Sequence, residues 1–332
     1  MSRFAKWIGL GAAFVLATAP LAAQHQQTQV TPRAAEGVAA GEIHPGAPAA
    51  APAPHGESQV DILHHIGNSH EIEVPFIGAV ALPRWEPLPF TILGQPVDLS
   101  PTKHTVFLVL AALLVGLCFV LSGRAVARAQ RGGRPPKGFA GAMEAMALYI
   151  RQEVILPNVG HHGEGFVPYL LTLFFFILVM NLLGLVPWGA TATGNISVTA
   201  ALAMISFLVI EVAGMRALGV KGYMNTIFFL PPGLPGFMKP VMLVIMTPVE
   251  IIGKLAKPFA LAVRLFANMT AGHVLVLALL GLTFLFQSYT VGIASSVLAT
   301  GIMMLEVFVA FLQAYVFTLL TSVFIGLMRA EH

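Results

Sequence analysis

The sequence predicts an all-α polytopic membrane protein with about five membrane segments, the last two forming a long, strongly tilted antiparallel helical hairpin. Apolar residues make up 57% of the 332 residues and charged residues only 10%, whereas soluble domains average about 45–50% and about 25%. Uncharged apolar runs recur, and about twenty apolar residues are enough to span the hydrocarbon core. Basic residues cluster in the short segments between these runs, which is the pattern that orients membrane proteins.

The N-terminus is predicted to be a secretory signal peptide, residues 1–23. Basic residues precede an uncharged run that ends with small residues at Ala23, as in such signals. An uncleaved first membrane helix is the alternative. Residues 24–103 are predicted to be an extracytoplasmic tail and a Pro-rich connection, with an ordered connection or short hairpin over Val74–Pro101. The tail histidines show no recurring ligand spacing, so they are interpreted as solvated side chains rather than a metal site.

Residues 104–332 are predicted to form a membrane domain. Its apolar segments are Thr105–Leu121, Phe166–Pro187, Ile196–Leu218, about Val241–Phe286 and Val291–Met328. The loop Gly123–Lys137 and the loop after Leu218 carry basic residues and no acid, so the positive-inside rule puts both in the cytoplasm. The N-terminus is then extracytoplasmic and the C-terminus cytoplasmic. Gly141–Leu156 is predicted to be an interfacial helix on the cytoplasmic face.

The last two apolar runs are too long for upright helices. The 37 residues from Gly292 to Met328 would span roughly 55 Å as one helix, whereas the hydrocarbon core is about 30 Å thick. Gly301 could break this run. The pattern favours instead two unbroken, strongly tilted helices that run antiparallel and join near Tyr289.

Ionisable side chains are rare within Pro258–Met328, where Arg264 and Glu306 are the formally charged residues and His273 is the one histidine. A charge at bilayer depth costs at least ~2.5–3.5 kcal/mol on insertion scales. An arginine also keeps its charge at every physiological pH. One fixed cation beside two titratable groups indicates ion or proton handling.

Antiparallel pairing about the centre near residue 289 aligns the rare polar residues of the two helices. It sets His273 opposite Glu306, and Arg264 opposite Gln313. Asn268 shares a helix face with Arg264, four residues away. A structural polar clamp between the helices is the alternative interpretation of this alignment.

The run Pro258–Gly272, PFALAVRLFANMTAG, resembles the signature of subunit a, the stator of the membrane (Fo) sector of rotary F-type ATP synthase. Shorter matches are Asn181–Pro187, Asn195–Thr199 and Gln313–Thr321. The resemblance covers roughly residues 103–332. It does not include the signal-like start or the tail rich in His, Ala and Pro, which the core family lacks.

The resemblance implies roles for individual residues in a proton path. Arg264 corresponds to the family's essential arginine, Asn268 to its asparagine and Gln313 to its polar glutamine. His273 and Glu306 correspond to the acid/histidine pair of the channel. Their order along the chain is swapped relative to some bacterial members, as it is in mitochondria.

Glu250 corresponds to a cytoplasmic-side glutamate of the family and is a candidate for the inner end of the path. From the residues alone, it could equally be an interfacial side chain paired with Lys254 at i,i+4. Glu211 lies three-quarters of the way through its apolar run. It could line the inner path or cap its helix near Arg216.

The resemblance implies a proton-translocating stator that supplies two aqueous half-channels to a rotating proteolipid ring (subunit c). Implied partners are that ring, the peripheral stalk (subunit b), the remainder of the synthase and the lipid bilayer of a bacterial inner membrane. No cofactor, metal, nucleic acid or catalytic site of its own is expected. A secondary transporter would have inverted repeats, and no duplicated half is evident. A non-transporting membrane scaffold would need neither Arg264 nor the His273/Glu306 pairing.

Overall fold

The computed structural model describes residues 71–74, 78–83, 91–92, 95–96, 100–133, 135–160, 163–186, 191–228, 235 and 237–330. The predicted signal peptide and the tail histidines lie outside the described residues. Two small antiparallel hairpins come first: β1 (Glu71–Val74) pairs with β2 (Gly78–Ala81), and β3 (Thr91–Ile92) pairs with β4 (Gln95–Pro96). The second hairpin lies in the Pro-rich connection, where a short hairpin was one of the predictions.

The rest of the described chain is helical. Its helices are α1 (Lys103–Arg131), α2 (Gly138–Tyr149), α3 (Leu156–Val159), α4 (Val167–Gly184), α5 (Ile196–Ile227), α6 (Met238–Phe286) and α7 (Tyr289–Ala330). A π-helical turn, Ile150–Ile155, joins α2 to α3, and short 3₁₀ turns occupy Gly163–Phe166 and Ala192–Gly194. Among the described helices, α1, α4 with its preceding turn, α5, α6 and α7 are long and apolar enough to cross a membrane. The predicted class, an all-α polytopic membrane protein with about five spans, is confirmed.

Helix α4 is the central helix of the bundle. Leu170, Ile177 and Met180 have no exposed surface, and the helix packs against α1 on one side and α7 on another. A helix that is apolar all round is typical of such a buried position.

Two helices extend beyond their apolar runs. Helix α1 continues from Leu121 to Arg131, through residues that the sequence pattern predicts to be a loop. Ala, Arg and Gln there have high helix propensity, so the helix outlasts the apolar segment. Helix α5 breaks at Gly219, directly after the predicted end at Leu218, and then continues to Ile227. Gly219 has φ 69° and ψ 165°, a conformation that glycine adopts readily because it lacks a Cβ.

The hairpin of α6 and α7 agrees with the prediction. The turn is Gln287–Ser288, and Gln287 adopts a left-handed conformation with φ 45°. The helices contain 49 and 42 residues, or roughly 70 and 60 Å, and α7 passes through Gly301 unbroken. Such lengths require strong tilt in a core about 30 Å thick. A 3.1 Å hydrogen bond between the hydroxyls of Thr283 and Ser295 fixes the pairing centre at residue 289.

Candidate functional site

Glu306 lies directly against α6 at the level of His273. A Cβ atom added to Gly272 would lie 2.6 Å from the Glu306 carboxyl carbon and closer still to Oε1. The carboxyl group therefore occupies the space that the missing side chain of Gly272 leaves open. His273 is the next residue on α6 and is half-buried. Among the described residues, no hydrogen-bond partner reaches the buried Oε1 of Glu306.

Arg264 and Asn268 lie on an exposed face of α6. Many exposed side chains of α6 are apolar, for example Phe259 and Leu275, which are 70% and 48% exposed, whereas Lys257, seven residues before Arg264, is an exposed cation. In the part of the chain that the structure describes, the Arg264 guanidinium has neither an ion-pair nor a hydrogen-bond partner. A fixed cation thus stands on a surface that is mostly apolar apart from Lys257 and Asn268.

Gln313 lies on α7 at the level that the antiparallel register gives it, but it is buried, with 5% of its surface exposed. Arg264, by contrast, is exposed. The two residues therefore share a level along the hairpin and differ in the direction they face. Within the described residues no hydrogen bond joins them.

Glu250 is half-buried on α6, one turn before Lys254. The ammonium group of Lys254 lies 3.9 Å from Glu211 Oε2, on α5, so the ion pair formed by Lys254 is with Glu211 and not with Glu250. Glu211 also accepts a hydrogen bond from the Tyr223 hydroxyl. It does not cap its helix near Arg216, as one interpretation of the sequence suggested. The fold-back at Gly219 could not be anticipated from apolar run lengths.

A chain of buried polar side chains connects α1, α4 and α7. Asn181 has no exposed surface, and its amide donates to the Ala310 carbonyl at 3.3 Å. Thr193 donates to Asn181 Oδ1 at 2.9 Å and lies 3.0 Å from the Thr191 hydroxyl. His104 Nδ1 lies 3.0 Å from the Thr191 carbonyl oxygen. In the sequence, Asn181 is recognised only as part of a family motif, although a lone Asn in an apolar run signals a buried polar contact.

The Glu306 contact, Arg264 and Lys254 lie at three separate levels along α6, which also carries Lys239, Glu250 and Lys257. Gly272, which touches Glu306, is 14 residues from the helix end at Phe286, Arg264 is 22 residues away and Lys254 is 32 residues away. At 1.5 Å per residue these are roughly 20, 33 and 48 Å from the turn. Arg264 therefore lies between the Glu306 level and the Glu211–Lys254 pair.

A polytopic helical protein with one fixed cation between two groups of ionisable side chains belongs to the class of membrane ion-handling subunits. The family model for the ATP synthase A chain matches residues 105–326, which is more than half of the chain. The protein therefore belongs to the ATP synthase A chain family.

Relatives of this family match most of the chain. ATP synthase subunit a of Chloroherpeton thalassium is 45% identical, covering 83% of this chain and 79% of that protein. ATP synthase subunit a 2 of Chlorobaculum tepidum is 45% identical, covering 81% and 73%. ATP synthase subunit a of Anaeromyxobacter dehalogenans is 40% identical, covering 95% and 86%. With this membership, the chain is a multi-pass membrane protein and the proton-translocating stator subunit of an ATP synthase.

Proposed function

We propose that Arg264 separates two aqueous half-channels that this subunit supplies to a rotating ring of proteolipids, subunit c. The observation that carries the proposal is the exposed Arg264 guanidinium on a largely apolar face of α6. A charge at membrane depth is costly without a counter-charge. A carboxylate on each ring subunit provides that counter-charge as it passes, and the apolar surroundings of Arg264 provide the sliding surface.

The fixed cation has two effects on a rotor carboxyl group. It stabilises the ionised form of a nearby acid, which favours release of the proton there. It also repels a proton that would otherwise cross directly from one half-channel to the other. Protons consequently travel with the ring and do not leak past it.

The outer half-channel leads to the ring through His273 and Glu306. Support comes from the half-buried Glu306 carboxyl group against Gly272, next to His273. Asn268 lies between this pair and Arg264 along α6, and Gln313 lies on α7 at the level of Arg264. The inner half-channel opens near Glu250, which is on the other side of Arg264 along α6 and is not paired with Lys254.

The orientation and the partners complete the proposal. The basic residues at the end of α1 are cytoplasmic by the positive-inside rule, so the hairpin turn at Gln287–Ser288 faces outward and the C-terminus lies in the cytoplasm of a bacterial inner membrane. The exposed faces of α6 and α7 contact the ring and the lipid bilayer, and the peripheral stalk, subunit b, holds the stator against rotation.

The test is ATP-driven proton pumping in vesicles that contain the whole synthase. Arg264→Ala should abolish pumping while the ring still co-purifies with this chain, and it should raise passive proton leak because the barrier is lost. Arg264→Lys should also fail or nearly fail, since lysine can lose its proton and lacks the planar fork. Lys257→Met, which removes a neighbouring cation that lies 4.9 Å from the Phe324 ring, is the matched control. Full coupled pumping by Arg264→Ala would refute the proposal.

A further inference from the structure

Glu211 is a buried carboxylate for which the proposed proton path has no role. It lies within the apolar part of α5 and only 8% of its surface is exposed. Tyr223 donates its hydroxyl to Glu211, and Lys254 lies 3.9 Å away. Lys254 is also only 8% exposed and donates to the Thr226 hydroxyl at 3.3 Å. These four residues, Glu211, Tyr223, Thr226 and Lys254, are called the Glu211 cluster below.

The cluster is assembled by a specific break in α5. Glu211 and Tyr223 are twelve residues apart, which would separate them by about 18 Å along a straight helix. Gly219, with φ 69° and ψ 165°, turns the chain so that Tyr223 returns to Glu211. The segment after the break supplies two of the four members, and Lys254 comes from α6. Lys254 also lies 4.5 Å from the Tyr223 ring centroid, which packs the cation against the aromatic face.

The cluster lies on the far side of Arg264 from the Glu306 carboxyl group. Lys254 precedes Arg264 by ten residues and Gly272 follows it by eight, so the two sites are about 15 Å and 12 Å from Arg264 along α6 in opposite directions. Lys254 also lies one helical turn from Glu250. A titratable carboxylate is therefore present at the level where the inner half-channel meets Glu250.

We propose that Glu211 is a further proton-carrying side chain of this subunit, located between Arg264 and the water on the membrane face away from the hairpin turn. The proposal rests on the proposed function. The Glu211 carboxylate accepts a proton released from the ring, becomes a carboxylic acid, and then releases the proton to water. The O–H bond of the ring carboxylic acid breaks as the O–H bond on Glu211 forms. The Glu211 O–H bond then breaks as water takes up the proton as hydronium. Tyr223 and Lys254 are positioning residues: they hold the carboxylate in place when it is ionised.

A dry structural clamp between α5 and α6 is the competing explanation of the same contacts. A clamp needs complementary groups and does not need a group that exchanges protons. Glu211→Gln alone cannot separate these explanations, because it leaves Lys254 buried without a carboxylate, and an unpaired buried charge is strongly destabilising. The informative variants therefore change both partners together.

The first experiment measures passive proton conductance of vesicles that contain the whole synthase, after the soluble ATPase has been removed. Glu211→Gln with Lys254→Met leaves a neutral pair, and conductance should fall about tenfold or more, as expected when a positioned proton-transfer group is lost. The exchanged pair, Glu211→Lys with Lys254→Glu, restores a carboxylate to the cluster and should recover a measurable part of the loss. Arg151→Met with Glu164→Gln neutralises the 3.4 Å Arg151–Glu164 ion pair and should conduct like the unmodified protein.

The second experiment measures water access and does not depend on changing Glu211. Thr226→Cys, with Cys118 replaced, should react with a membrane-impermeant thiol reagent from the face away from the hairpin turn, and the reaction should lower conductance. Met204→Cys, on an exposed apolar part of α5, is the control for reaction outside the path. An unreactive Thr226→Cys would mean that the cluster is dry and would overturn the proposal.

The Glu211 proposal and the proposed function on which it rests fail in different ways. If the neutral Glu211/Lys254 pair conducts like the unmodified protein while Arg264→Ala abolishes pumping, Glu211 carries no proton and the proposed function stands. If Arg264→Ala retains full coupled pumping, the proposed function itself is wrong. A third outcome would show that the Glu211 cluster is a structural clamp. In that case the neutral pair conducts less, the exchanged pair shows no recovery, and Thr226→Cys does not react.

Discussion

Gly272→Ala tests whether the position of the Glu306 carboxyl group controls proton flux. The added Cβ would lie 2.6 Å from the Glu306 carboxyl carbon and 3.1 Å from its Cγ. Carbon atoms in favourable contact lie about 3.5–4.0 Å apart, so the carboxyl carbon must move by about 1 Å, and Oε1, which is closer still, must move further. The obstacle is the side chain of Glu306 and not its backbone, so the hairpin itself can stay in register.

The expected effect is large on flux and small on assembly. Misplacement of a reacting group by about 1 Å can lower a rate about a hundredfold, so proton conductance should fall by about ten- to a hundredfold. Crowding in a packed core costs about 1–3 kcal/mol. Replacing glycine by alanine within a helix returns roughly 0.5–1 kcal/mol. The net destabilisation of about 0–2.5 kcal/mol should leave the subunit in the complex.

The assay is passive proton conductance of vesicles stripped of the soluble ATPase, with the amount of assembled subunit measured in parallel. Gly281→Ala is the matched control, because Gly281 lies on the same helix and an added Cβ there meets nothing within 4 Å. A second variant, Gly272→Ala with Glu306→Asp, shortens the acid by one methylene and should recover part of the flux. Unchanged conductance in Gly272→Ala at normal assembly would refute the reasoning.

Two further predictions concern the hairpin. In a background lacking Cys118, cysteine pairs that replace Thr283 and Ser295, or His273 and Glu306, should crosslink readily on oxidation. Cysteine pairs shifted by seven residues along one helix should not crosslink. The reverse pattern of crosslinking yields would contradict an antiparallel pairing centred at residue 289. Glu306→Gln or His273→Ala should each lower passive proton conductance about tenfold or more, as expected for the loss of a proton-transfer group. The double exchange, His273→Glu with Glu306→His, should recover part of that flux, and a double exchange as inactive as the worse single exchange, at normal assembly, would leave Glu306 as a polar clamp.

The membrane spans and the hairpin could be predicted because the bilayer constrains them so strongly. Backbone polar groups must be satisfied internally within hydrocarbon, so long apolar runs become helices of that length or longer. The register of α6 against α7 followed from the spacing of polar residues, and the Thr283–Ser295 hydrogen bond has the same centre. The spans and the register therefore depend on apolar run length, on the spacing of polar residues and on the thickness of the bilayer.

The remaining features depend on tertiary contacts that no local pattern encodes. The apolar run ends at Leu218, but run length does not reveal that the chain folds back at Gly219 to bring Tyr223 to Glu211. The choice of Glu211 over Glu250 as partner of Lys254 likewise depends on how α5 packs against α6. The π-helical turn Ile150–Ile155 lies inside a segment with an ordinary helical pattern, and nothing in that pattern distinguishes it.

The two cations Lys254 and Arg264 show how one helix can carry both a neutralised and an exposed charge. Lys254 is buried and has a carboxylate within 3.9 Å, so its charge is compensated within this chain. Arg264 is exposed on an apolar face, and the described part of the chain supplies it with no carboxylate. A permanent charge at membrane depth requires compensation, and in the proposed function a carboxylate of the ring supplies it. The proposed function requires such a counter-charge to arrive on a moving partner and to leave with it, since a permanent internal ion pair would occupy Arg264 and remove the effect proposed for it on the ring.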